Sequence, residues 1–170
     1  MYKILMISGS NTCRSPIAQA AMNLAIKDGG FENEFVVHCA SVDARIPQVT
    51  PEPRVFSILS ARGIDYTWHP RKVSPEDFQD YDYMFAMDEK NLKELNQMSA
   101  GIKNRKAQIL LLGDFGLDPT DRILMDPFHI VGEVYFDKIF RQSYPASAAF
   151  LAYTLLDHEY EHHYTRDCSE

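Results

Sequence analysis

The sequence predicts a three-layer, doubly wound α/β domain: a four-stranded parallel sheet with helices on both faces. Three observations carry this. Short apolar runs of strand length alternate along the chain with segments of helical periodicity. The first run, residues 3–7, is uniformly apolar after Lys3, as expected of a strand buried on both faces. No internal repeat or low-complexity segment interrupts the alternation.

The elements follow in order. Residues 3–7 form the first strand. A helix opens at Ser15-Pro16, where proline is tolerated in the first turn. Ile17, Ala20, Ala21, Leu24 and Ala25 continue it at helical spacing, and Asp28-Gly29-Gly30 stops it. Residues 35–40 are the second strand, and 41–53 a loop with three prolines. A short helix over 55–62 ends at Gly63; 65–75 is irregular and carries Trp68, His69 and Arg71. Residues 83–87 are the third strand, with Tyr81 and Tyr83 structural at its start, 89–98 a helix and 107–112 the fourth strand. A loop over 113–129 contains Asp-Pro at 118–119 and again at 126–127. Apolar residues recur at helical spacing from 132 to 160, with a break or kink expected at Pro145. Residues 1–160 thus form one domain, and 161–170 read as a frayed tail.

Composition narrows the function. The chain has 170 residues and a net charge of -7, so it has no global basic footprint for nucleic acid. The same negative body disfavours anionic membranes, and no apolar run approaches the roughly 20 residues that span a bilayer. The apolar N-terminus is too short for a signal peptide. Three cysteines, Cys13, Cys39 and Cys168, have no metal-type spacing and fit a reducing, cytoplasmic compartment. His158 and His162, four apart, read as part of an acidic tail rather than a metal pair.

The chemistry concentrates in residues 8–15, Ser-Gly-Ser-Asn-Thr-Cys-Arg-Ser. Here a strand ends, the chain turns and a helix begins, at the carboxyl edge where α/β sheets bind ligands. Gly9 is expected to make the turn without a Cβ penalty. Backbone N–H groups of Ser8, Gly9, Ser10, Asn11, Thr12, Cys13, Arg14 and Ser15, backed by the helix N-terminus, can form an anion cradle. Arg14 adds a planar fork for two phosphate oxygens, and the Ser10, Asn11 and Ser15 side chains can brace the loop.

Residues 8–16 resemble the phosphate loop of the low-molecular-weight protein tyrosine phosphatases, Cys-x-Gly-Asn-x-Cys-Arg-Ser-Pro. Asn11, Cys13, Arg14, Ser15 and Pro16 match. Asp126-Pro127-Phe128 resembles the family's Asp-Pro-Tyr segment, and Ser74-Pro75-Glu76-Asp77-Phe78, Tyr81-Asp82-Tyr83, Met87-Asp88-Glu89 and Leu111-Leu112-Gly113 are also family-like. The resemblance runs to about residue 155. It implies the family's fold and its reaction on phosphotyrosine-containing proteins: attack by a loop cysteine through a phospho-cysteine, with Asp126 as acid and then base. It implies no metal and no cofactor, because the loop itself supplies the positive field.

The sequence departs from this pattern where the reaction would begin. Ser8 stands at the nucleophile position. An alcohol is far less acidic than a thiol, and no general base adjoins it in the motif. Cys13, immediately before Arg14, is not placed to substitute. Ser10 replaces the family's Gly, Arg45 falls where an aromatic flanks the cleft, Trp68 where the family often has His, and His129 replaces a second Tyr. These departures fit a divergent member better than a single Cys-to-Ser variant. Arg45, Trp68, His69, Phe128 and His129 are the expected cleft wall. The reading is a phosphatase-like protein that binds phosphate or phosphotyrosine with turnover lost or very weak. The alternatives are a pseudophosphatase acting as an interaction module and, ranked last, an arsenate reductase, for which Cys39 and Cys168 make no convincing resolving pair.

Overall fold

The computed structural model describes residues 1–43, 52–127 and 129–166, with backbone alone over 157–166. Arg45 and Phe128 lie outside the described residues, as does Cys168; of His158 and His162 only the backbone is described.

Four parallel strands form the sheet: β1 (Tyr2–Ser8), β2 (Phe35–Ser41), β3 (Tyr83–Ala86) and β4 (Gln108–Leu111), in the order β2-β1-β3-β4. The helices are α1 (Arg14–Gly29), α2 (Pro53–Ser60), α3 (Asp77–Asp80), α4 (Glu89–Ser99) and α5 (Val134–Arg166). The chain leaves β1 toward β2 and returns across β1 to β3, so the carboxyl end of β1 is the switch point of the sheet. Ser8 pairs with Ser41, and Ile7 with both Ala40 and Ala86, so three strand ends are nearly flush and their loops emerge together.

Strand alternation sorts the core into two layers. Ile4 and Met6 of β1 and Phe85 of β3 pack with α1, α2 and α5. Leu5, Ile7, Met84 and Ala86 pack with Phe78 of α3 and Leu95 of α4. This is the doubly wound arrangement the sequence predicts.

Helix ends follow local chemistry. Gly30 sits at φ 74°, its N–H bonded to the Lys27 carbonyl at 3.1 Å, while Phe31 N–H reaches the Ile26 carbonyl at 2.9 Å. This is a Schellman ending with its apolar contact, and it explains why the chain turns at 29–30. Asp88 caps α4 by accepting the Asn91 N–H at 2.7 Å.

Three details differ from expectation. The four-residue α3 is too short to leave a periodic signature. Leu112–Asp114 tightens into a 3-10 turn at the head of the long loop. Helix α5 runs through Pro145 without a break. Pro145 and Arg141 are both on the exposed side, so water can satisfy the Arg141 carbonyl that loses its helical partner. Helix α5 is described as far as Arg166. No helix among the described residues is long and apolar enough to cross a membrane.

Candidate anion-binding site

Ser8 ends β1 and is 2% exposed. Its hydroxyl lies 2.8 Å from the Ser15 hydroxyl and 3.4 Å from the Ser15 N–H. Ser15 directs its proton to Asn11 Oδ1 at 2.8 Å, with the Ala40 carbonyl farther away at 3.5 Å. The Ser15 oxygen is therefore the acceptor toward Ser8, and Ser8 donates. These bonds brace the loop from within, as expected of Asn11 and Ser15. Ser10 and Thr12 hydroxyls close a second brace at 2.8 Å.

The turn itself is made by a different residue from the one expected. Gly9 is not in the left-handed region; Asn11 is, at φ 56°. Asparagine tolerates this conformation better than other side chains, because its short amide can bond locally. The loop is also stitched to the end of β2. The Gly9 carbonyl accepts from Ser41 Oγ and from Asp43 N–H at 3.0 Å, and the Ser8 carbonyl accepts from Val42 N–H at 3.2 Å.

Cys13 points into the core with α1 and α2, not into the loop. Burial pushes its thiol up to about 11, although its contact with the Thr12 hydroxyl pulls the other way. That placement removes it as a substitute nucleophile.

Arg14 opens α1, and its side chain is 5% exposed. Nη1 donates to Asp88 Oδ2 and to the Leu124 carbonyl at 3.1 Å, and Nη2 to Asp126 Oδ2 at 3.2 Å. Asp88 is the residue whose role the sequence did not disclose. Its helix-capping oxygen is readable from Asp88 and Asn91 three residues apart; its grip on a guanidinium 74 residues away is not.

Asp126 lies in a segment fastened on both sides. Before it, Leu124 N–H bonds the Met87 carbonyl at 3.0 Å, and Gln142 donates to the Asp121 carbonyl at 2.7 Å. After it, Arg54 donates to the Ile130 carbonyl at 2.6 Å while stacking 4.2 Å over Phe136. Asp126 itself is 52% exposed. A cleft of about 710 Å³ opens here, with Gly9, Arg14, Asp88 and Asp126 in its lining.

The expected cleft wall is placed in part. Trp68 is half-buried and donates its indole N–H to the Asn11 carbonyl at 2.9 Å, so it touches the loop from behind. His69 and His129 are exposed. None of these three is among the described residues that line the cleft. Arg14 and Asp126, 112 residues apart in sequence, are brought together; Ser8 lies at the base of the loop.

Comparison with known proteins agrees with this architecture. The family model described as low molecular weight phosphotyrosine protein phosphatase matches residues 3–157. The chain is 38% identical over 148 residues to low molecular weight phosphotyrosine protein phosphatase 2 of Drosophila melanogaster, covering 87% of this chain and 89% of that one. It is 31% identical to the Sus scrofa phosphatase of the same description, covering 87% and 92%. Among solved structures, Primo-1 superposes with a TM-score of 0.84 at 35% identity, over 89% of this chain and 97% of that one. A drosophila arginine phosphatase superposes equally well, at 0.84 and 31% identity with the same coverage. A sheet whose switch point carries this loop, matched over almost its whole length by such relatives, settles the assignment: the chain belongs to the low molecular weight phosphotyrosine protein phosphatase family.

Proposed function

We propose that this protein binds phosphate monoesters, phosphotyrosine of a protein above all, through the loop of residues 8–15, and that it hydrolyses them weakly or not at all. The observation that carries this is the hydrogen bonding of Ser8. Its proton is committed to the Ser15 hydroxyl, which is not a base, and its oxygen accepts the Ser15 N–H. Among the described residues no carboxylate, imidazole or amine side chain hydrogen-bonds to its hydroxyl. An alcohol so placed stays protonated at neutral pH, so Ser8 orients rather than attacks.

The rest of the machinery is compatible with the family reaction. Arg14 presents its Nη2 edge to the cleft, where it would bridge phosphate oxygens. Asp126, half-exposed and 3.2 Å from that edge, would protonate a leaving oxygen. Cys13 and Cys39 are both buried, which gives no support to a redox relay of the arsenate reductase kind.

The test is a paired assay on an aryl phosphate and on phosphotyrosine and phosphoarginine peptides, with the protein as it is and with Ser8→Cys. We expect negligible turnover from the first, restored turnover from Ser8→Cys, and its loss in Ser8→Cys combined with Asp126→Ala. Calorimetric titration with inorganic phosphate should give binding that Arg14→Ala abolishes. Efficient turnover by the unaltered chain, or phosphate binding indifferent to Arg14→Ala, refutes the proposal.

A further inference from the structure

Arg54 is not among the residues that line the cleft, yet every nitrogen of its guanidinium is engaged close by. Nε and Nη2 both donate to the Glu52 carboxylate, at 2.7 and 3.1 Å. The guanidinium lies 4.2 Å over the ring of Phe136, which is fully buried. A planar fork held at one edge by a carboxylate and on one face by a ring has its orientation set. The remaining nitrogen, Nη1, is aimed at backbone: it donates to the Ile130 carbonyl at 2.6 Å and to the Gly132 carbonyl at 3.1 Å.

Those carbonyls belong to the segment that follows Asp126. Ile130 returns its own N–H to the Pro127 carbonyl at 2.9 Å, and Pro127, next to Asp126, is buried. Gly132 makes the left-handed turn into α5 at φ 89°. The grip of Arg54 is thus relayed by backbone bonds to the residue adjoining Asp126. On the upstream side the nearest anchor is Leu124, and Met125 between them is 52% exposed, so the core gives Asp126 little direction from there. A group meant to meet a reacting atom is sensitive to such direction: a misplacement of about 1 Å can cost about a hundredfold in rate.

We infer that Arg54, oriented by Glu52, is a positioning residue: by gripping the Ile130 and Gly132 carbonyls it holds Asp126 at the Nη2 edge of Arg14. This rests on the roles proposed for Arg14 and Asp126.

The experiment is a double-mutant cycle read by calorimetric titration with inorganic phosphate, on the unaltered protein, Arg54→Met, Asp126→Asn and the double variant. Asp126 and the anion compete for Nη2, so Arg54→Met should tighten phosphate binding about twofold to threefold in the unaltered chain and leave it unchanged in Asp126→Asn. Glu52→Gln keeps an acceptor at the α2 N-terminus but loosens the guanidinium; it should act in the same direction to a smaller extent, and it takes the place of Arg54→Met if that variant does not fold. In a Ser8→Cys protein, Arg54→Met should lower kcat/KM about tenfold to a hundredfold on phenyl phosphate, whose leaving group needs a proton, and less than about threefold on 4-nitrophenyl phosphate, whose leaving group does not. An Arg54 that served stability alone would change phosphate affinity equally with and without the Asp126 carboxylate, and both esters equally; either result overturns the inference and leaves the loop's role standing. Phosphate binding indifferent to Arg14→Ala overturns the loop's role and the inference with it.

Discussion

Trp68→Phe should loosen the anion loop from behind, and the size of the effect follows from one bond. The indole N–H of Trp68 reaches the Asn11 carbonyl at 2.9 Å. Asn11 is fully buried and holds the left-handed turn of the loop at φ 56°. Phenylalanine keeps the apolar contact and deletes the donor. A buried carbonyl left unpaired costs about 1–3 kcal/mol. Because Trp68 is half-buried, water can reach part of the site, which places the loss at about 1–2 kcal/mol. For a domain of this length that corresponds to a Tm lower by about 2–8 °C. Trp68→His keeps a ring N–H and should recover at least half of the loss. The assay is urea unfolding followed by far-ultraviolet circular dichroism, since the substitution removes the chain's one tryptophan. A Trp68→Phe protein within about 0.3 kcal/mol of the parent, well below the cost of an orphaned carbonyl, or a Trp68→His protein no better than Trp68→Phe, refutes the reasoning.

Three further outcomes are expected. In Gly113→Ala the new Cβ would lie 1.7 Å from the Arg122 carbonyl oxygen, so the backbone leading to Asp126 must shift; urea unfolding should show a loss of at least about 2 kcal/mol. Burial holds the Cys13 and Cys39 thiols at about 11 against an ordinary 9.0, which favours the protonated form in the fold. Their contribution to stability is therefore complete below about pH 9 and falls as pH rises toward 11, and unfolding at pH 8 and pH 10.5 should show a smaller fall in Cys13→Ala than in the parent. In Asp126→Asn the carboxylate that occupies the Arg14 Nη2 edge loses its charge, and calorimetry should show inorganic phosphate binding about twofold to fivefold tighter, the modest scale reflecting the exposure of Asp126.

The elements that could be read from the sequence are those whose signal is local. The apolar run of β1 and the Gly-Gly ending of α1 need no information from elsewhere in the chain, and both appear where expected. Helix α3 could not be read that way: it is four residues long, and its anchor, Phe78, becomes meaningful only once it is buried under the sheet. The strand–turn–helix passage at the loop was legible from its residue types, but the turn went to Asn11 instead of Gly9, where the Asn11 amide gains a partner in Ser15. Asp88 and Trp68 act across 74 and 57 residues of sequence, and such pairings are set by the sheet order rather than by any local pattern. Arg45 and Phe128, read as cleft wall from the family resemblance, lie outside the described residues.

If Arg14 binds a phosphate as proposed, the way it is held accounts for how a buried cation would serve a ligand. Its three contacts are unequal in kind. Asp88 is mostly buried and is fixed at its other oxygen by the α4 N-terminus, and the Leu124 carbonyl belongs to a backbone tied to the end of β3. Both bind Nη1, so they set the plane of the guanidinium and have little freedom to leave. Asp126 binds Nη2 and is half-exposed, so water can take over its hydration if it is displaced. An incoming anion therefore competes for one edge of a guanidinium whose other edge is already oriented. That arrangement lowers the ordering entropy of binding. On the proposed function, the same carboxylate would occupy the site when empty and, in a Ser8→Cys protein, act as the acid beside the leaving group when filled. Asp126→Asn should then strengthen binding while removing turnover from the Ser8→Cys protein. A purely structural ion pair would move neither quantity in those opposite directions.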